Sequence, residues 1–184
     1  MIAAFDSSIA NCGFCVMRLS DGEIIISGVL HTDKGDKMTA QERERFKLYR
    51  PNYGYRVLDL ERKVKSILGM KKIDILFAWV EVPEAKDYAR VTRGFGKQTN
   101  KLSMYQMAGA ADSIQSVLAE WGIQHAGVTP NYWKGTRAKW EDQIAAQQKL
   151  GRTCRDDESD AIAMCRTLRQ HIKLGMVKIG QGAA

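Results

Sequence analysis

Ile2-Ala3-Ala4-Phe5-Asp6, with Ser7-Ser8-Ile9-Ala10-Asn11-Cys12-Gly13 behind it, is the stretch on which the reading of this chain turns. Residues 2–6 form a short apolar run that closes on an acid. Such a run reads as a buried strand. An ionised carboxylate at its end is costly unless it is paired or bound to a metal. Ser7, Ser8, Asn11 and Gly13 supply a turn. Residues 13–19 then predict a second strand, Asp21-Gly22 is a hairpin signal, and residues 23–30 predict a third strand. The chain therefore opens as a β-meander whose first strand delivers Asp6 to one edge.

Beyond the meander, residues 33–50 are polar and mixed in charge. They predict a loop running into a solvated helix, or a mobile segment. Val57, Leu58, Leu60, Val64, Ile67 and Leu68 recur at helical spacing over 55–68, and Gly69 is a stop signal. Residues 73–82 read as a buried strand that contains Trp79 and Glu81, followed by a charged loop over 83–99. The longest helix is predicted over 100–121, where Ala108-Gly109-Ala110-Ala111 allows close packing. Residues 123–128 are a short strand broken by Thr129-Pro130, and helices follow over 137–149 and 157–174. A chain of 184 residues fits one domain, placed at 1–175, with 176–184 expected to be a flexible tail. The order β-β-β-α-β-α-β-α-α implies an α/β fold, a mixed sheet with helices packed on it.

Glu81 lies in Leu76-Phe77-Ala78-Trp79-Val80-Glu81-Val82, so a second buried-looking strand ends near an acid. A meander joined to this strand through a helix makes strands one and four neighbours. Asp6 and Glu81 are then side by side, at the edge where α/β sheets bind ligands. Asp157 and Asp160 are three apart on a helix whose Ala161, Ile162, Met164, Cys165 and Leu168 pack on the sheet, so they share a face that can reach Asp6. Four carboxylates from three segments form a hard, all-oxygen site suited to Mg²⁺ or Mn²⁺. Two such ions can serve in-line phosphodiester hydrolysis. Each feature has a plainer explanation alone. Acids in a helix's first turn are favourable by themselves, and an Asp after a first strand also occurs in actin-like ATPases. The conjunction of the three segments is what is specific.

The net charge is +7, with an isoelectric point near 9.3, which favours a polyanionic partner. Lys86, Arg90, Arg93, Lys97 and Lys101 follow Glu81, with Tyr88 and Phe95 among them. That mixture suits a surface that tracks a DNA backbone and stacks on bases. Cys12-Gly13-Phe14-Cys15 invites a metal or redox reading, but no second such pair follows, and the thiols of Cys12, Cys15, Cys154 and Cys165 are read as structural. His31 and His125 lie outside the acidic motifs and are read as structural. Trp79, Trp121, Trp133 and Trp140 are expected in the core or at its edge, with Trp133 the one candidate for stacking on DNA. No apolar run approaches a membrane span. The N-terminus lacks a basic region before its apolar run, so a cytoplasmic location is expected.

Phe5-Asp6-Ser7-Ser8-Ile9-Ala10-Asn11-Cys12-Gly13, Val80-Glu81-Val82 and Asp157-Glu158-Ser159-Asp160-Ala161-Ile162-Ala163 together resemble the RuvC-type Holliday junction resolvases of the RNase H-like superfamily. The match is to scattered motifs over most of the chain. The resemblance implies a five-stranded sheet, three antiparallel strands plus two parallel ones, flanked by helices. By position it makes Asp6, Glu81, Asp157 and Asp160 the ligands of two Mg²⁺ ions. It sets Lys134, and with it Lys139, beside the scissile phosphate. It implies a homodimer that cuts opposed strands of a four-way DNA junction, and the helix over 100–121, with Met104, Met107 and Ile114, is a candidate interface unless it packs within the monomer. Where the family often carries a stacking aromatic, this chain has Glu84, which leaves Tyr88 or Phe95 for that role. The segment 31–55 is also longer than the family's. These departures mark a divergent member; if phage-encoded, it would act in the host cytoplasm. Rival readings are an RNase H-type or general branched-DNA nuclease with the same metal site, an actin-like ATPase fragment, and an inactive DNA-binding module.

Overall fold

Alternation along the strands sorts the apolar residues into two cores. A computed structural model describes residues 1–33, 39–45, 51–70, 74–84 and 101–180. Within it, β1 (Ile2–Asp6), β2 (Asn11–Met17), β3 (Ile24–His31), β4 (Phe77–Glu81) and β5 (Gln124–Val128) form one sheet in the order β3-β2-β1-β4-β5. β1 pairs antiparallel with β2 and parallel with β4, β2 antiparallel with β3, and β4 parallel with β5. This is the RNase H-like arrangement. The juxtaposition of strands one and four anticipated from the order of elements is present.

One sheet face carries Ala3, Phe5, Cys12, Phe14, Val16, Ala78 and Val80. Two helices cover it, α2 (Pro51–Leu68) through Leu60, Val64, Ile67 and Leu68, and α3 (Lys101–Glu120) through Ala110, Ala111, Ile114, Val117 and Leu118. They pack closely because Gly109 has no side chain: a Cβ there would lie 1.7 Å from the Tyr53 hydroxyl. Met104 and Ile114 are buried within this chain, whereas Met107 on the same helix is half-buried. Tyr105, on the same helix, is exposed.

The opposite face carries Ile2, Ala4, Cys15, Met17 and Trp79. It packs against α6 (Asp156–Lys173) through Ala161, Ile162, Met164, Cys165 and Leu168. Two further helices complete this layer, α4 (Pro130–Lys134) and α5 (Lys139–Leu150). Burying one such aliphatic side chain contributes about 1.5–3 kcal/mol, so this double-sided core holds α6 firmly on the sheet. Cys12 and Cys15 fall on opposite faces and all four cysteines are buried and free. Three residues along a strand reverse the side-chain direction, so that pair cannot share an ion.

Several boundaries differ from the sequence reading. β4 begins at Phe77 rather than residue 73, and Leu76 beside it is exposed. Thr129-Pro130 does not merely end β5. Pro130 opens a helical turn, where its fixed φ and missing N–H suit the first position. A short helix, α1 (Ala40–Arg45), lies in the polar segment. Trp121 and Trp140 are exposed, not buried: α5 turns Asp142 and Ala146 inward and leaves Trp140 outside. Residues after α6 run back to β5, where the Gly180 N–H donates to the Gln124 side chain at 2.9 Å. No helix among the described residues is long and apolar enough to cross a membrane.

Candidate active site

The parallel register aligns Phe5 with Val80, so Asp6 and Glu81 are the next residues on adjacent strands. Both follow the alternation of Ala4 and Trp79 and face the α6 layer. Ser7, fully buried, donates its hydroxyl hydrogen to the Glu81 carbonyl at 2.5 Å and ties the two strand ends together. Two acids that repel each other are thus held by the sheet itself.

The first turn of α6 supplies the other acids. It sits against β2 because Gly13, the partner of Asp6 in the antiparallel register, leaves room. A Cβ on Gly13 would lie 1.9 Å from the Asp157 backbone carbonyl oxygen. Glu158 turns away from the cluster. It is buried, accepts from Ser27 at 2.6 Å and pairs with both terminal nitrogens of Arg152 at 2.6 and 3.1 Å. Burial alone would raise its pKa, but the Arg152 and Ser27 hydrogen bonds outweigh that and hold it below the usual value. Of the acids in Asp157-Glu158-Ser159-Asp160, this one anchors the helix. Asp157 and Asp160 remain half-buried near Asp6.

α4 brings Trp133 and Lys134 onto the cluster. Trp133 is buried and donates its indole N–H to Glu81 Oε2 at 2.8 Å. It is a site residue and not a surface for DNA stacking. Lys134 Nζ lies 3.5 Å from Asp160 Oδ1, and Lys139 Nζ lies 3.8 Å from Asp160 Oδ2 and 3.3 Å from Asp156. Glu84 is buried and accepts from the Asn131 N–H at 3.1 Å, so it fastens the start of α4. Lys86, Arg90, Arg93 and Lys97, with Tyr88 and Phe95, lie outside the described residues. Lys101 opens α3, and its side chain is likewise outside them. His31 and His125 make local contacts away from the acids, to Asn11 and Arg155 and to the Ile123 carbonyl.

The electrostatics are those of crowded acids. Burial, then the carboxylates of Glu81, Asp160 and Asp157, push Asp6 well above the usual aspartate range, and Lys139 opposes them. Burial raises Glu81 to about 7 against the Trp133 hydrogen bond. Burial also raises Asp160, opposed by Lys134 and Lys139. As the side chains stand, no three His, Cys, Asp or Glu among the described residues are gathered tightly enough to hold an ion. The donor chemistry nevertheless fits one. The four groups offer carboxylate oxygens alone, which suits a hard divalent cation, and a cation relieves the buried mutual repulsion that lifts Asp6 and Glu81.

Sequence reasoning missed Ser7, Gly13 and Trp133 as parts of this site. Gly13 carried a signal, a glycine one register step from the acid across a strand pair. Trp133 carried none, because its bond to Glu81 depends on the turn of α4.

No protein-family model matches the sequence, and no curated protein does. Solved structures do match. The RuvC of Thermus thermophilus in complex with a Holliday junction substrate superposes with a TM-score of 0.65 at 18% identity, over 96% of this chain and 97% of that one. A second structure of T. thermophilus RuvC gives 0.63 at 17%, over 96% and 98%. The fold is therefore that of RuvC along essentially the whole length of both chains.

Proposed function

We propose that this chain is a divalent-metal-dependent endodeoxyribonuclease of the RuvC type, which resolves four-way DNA junctions by paired, symmetric phosphodiester hydrolysis. The observation that carries the reading is the meeting of Asp6, Glu81, Asp157 and Asp160 at one sheet edge, with Lys134 and Lys139 against them. Asp6, Glu81, Asp157 and Asp160 would hold two Mg²⁺ ions, or Mn²⁺ in their place, which activate water and stabilise the departing 3′-oxygen.

The chain's own residues set the stage for that chemistry. Ser7 fixes where Glu81 leaves its strand, and Trp133 fixes which way its carboxylate points. Gly13 and the Glu158–Arg152 pair fix the height and seating of the first turn of α6. Lys134 and Lys139 neutralise Asp160 here, and their ammonium groups would meet a phosphate bound at the same spot. Symmetric cutting of two opposed strands calls for a two-fold homodimer.

A substrate panel tests the assignment: a mobile four-way junction, its linear duplex and an RNA–DNA hybrid of the same sequence, each with Mg²⁺. The expected result is cleavage of the junction well above the other two. Preferential cutting of the hybrid would move the chain to the RNase H-type reading.

A further inference from the structure

A groove of about 820 Å³ opens between α5 and the second half of α6, at the far end of the sheet from the acids. Arg137, Lys149, Arg166, Arg169 and Lys173 line it, and among the described residues no aspartate or glutamate does. Its walls also offer the uncharged donors Gln148 and Gln170. We propose that this groove is a second DNA-backbone site, which grips phosphates of a junction arm beyond the cleavage point. The proposal rests on the DNA-cutting reading above and concerns a different surface.

The five cations divide into two kinds. Arg169 donates to the Leu19 and Ser20 carbonyls at 2.8 and 2.7 Å. Arg137 donates to the Trp133 and Lys134 carbonyls and to Thr167, with Asp142 at 3.7 Å. These two shape the groove. Lys149, Arg166 and Lys173 are exposed and make no ion pair among the described residues. They provide its uncompensated charge. The surface acids Asp21 and Glu23 share an adjoining hollow with Lys149 but are engaged by Arg18 at 3.0 and 2.5 Å.

Three features favour a nucleic-acid strand over a single anion. The groove is far larger than one phosphate needs. Arg166 and Lys173 are seven residues apart on α6, or about 10 Å, which spans roughly three nucleotide steps of a duplex strand at 3.4 Å each. A chain of bonds also links the groove to the acid site: Arg137 lines the groove and bonds the backbone of Lys134, whose side chain meets Asp160. Asp160 and Lys173 are thirteen residues apart on the same helix, about 20 Å along its axis, so the groove lies one helix length from the acids.

The test compares the wild type with the combined Lys149→Ala, Arg166→Ala, Lys173→Ala variant, leaving Arg137 and Arg169 in place. Binding of a labelled four-way junction and of a labelled duplex is measured by fluorescence anisotropy over a salt series in EDTA, where no cutting interferes. Equal melting temperatures establish that both proteins are folded, and the charge-conserving Lys149→Arg, Arg166→Lys, Lys173→Arg variant controls for packing. The expected result is at least about tenfold weaker binding by the alanine variant, a slope of log K against log salt shallower by about 2 to 3, and wild-type behaviour of the charge-conserving variant. Identical affinity and slope for the alanine variant overturn the groove proposal, and leave the groove to an acidic protein partner. If the wild type itself binds neither DNA, the nuclease reading fails first.

Discussion

Ser7 is a small residue with a large structural assignment, since its hydroxyl is the buried donor to the Glu81 carbonyl. Ser7→Ala leaves that carbonyl without its partner, which costs about 1–3 kcal/mol. Thermal unfolding should show the loss, and cleavage should fall further than stability alone explains because Glu81 is freed. Glu81 itself carries a pH signature. Its carboxyl is raised from the usual 4.5 to about 7, chiefly by burial, and Asp6 moves in the same direction. The folded chain therefore holds these protons more tightly than the unfolded chain. The resulting stabilisation is full below about pH 4.5 and is lost as pH rises through 7. In magnesium-free buffer the melting temperature should decline across that window, and Glu81→Gln should flatten the decline. A flat wild-type profile would show that the acids are not crowded as described. Asp6 and Glu81 were legible because a charge inside an apolar run is conspicuous. Trp133 reads in the sequence as a candidate for stacking on DNA, and its bond to Glu81 was not legible because it depends on the turn of α4.

At the scale of elements, α6 reaches the acids only because β2 carries a glycine opposite Asp6. The carbonyl that a Cβ on Gly13 would strike is backbone, which cannot swing aside as a side chain does. Gly13→Ala should therefore push the first turn of α6 off the sheet. The expected outcome is a lowered melting temperature with cleavage reduced by about a hundredfold or more, consistent with the sensitivity of catalysis to a 1 Å displacement. Normal cleavage by this variant would mean that Asp157 and Asp160 do not act from that turn. On the other face, Ile114→Ala opens the core between α3 and the sheet and should cost roughly 2–5 kcal/mol, read by denaturant unfolding, without altering junction affinity. The helices α2, α3 and α6 were readable from their apolar spacing. The turn α4 was not, since Pro130 signals both a strand's end and a helix's first residue. The start of β4 was read too early because Ile73 and Ile75 extend its apolar run beyond the hydrogen-bonded segment.

For the whole molecule, the order of elements was enough to place β1 beside β4, because a meander followed by a helical crossover leaves few alternatives. Which helix face would be buried was harder to foresee. Met104 and Ile114 suit either an interface or a core, and the packing of α3 on the sheet assigns them to the core. If two copies pair to cut a junction, they do so through other residues, and sedimentation of the free chain should give twice the mass of 20.7 kDa. The central claim is that Asp6, Glu81, Asp157 and Asp160 act together on a DNA junction. It is tested most directly by incubating wild type and Asp6→Asn with a synthetic four-way junction and Mg²⁺, with cuts mapped on all four strands and binding measured alongside. The result expected is symmetric cutting of two opposed strands by the wild type, and none by Asp6→Asn at undiminished junction binding. Cutting that survives Asp6→Asn, or a wild type that binds the junction and leaves every strand intact, would contradict it.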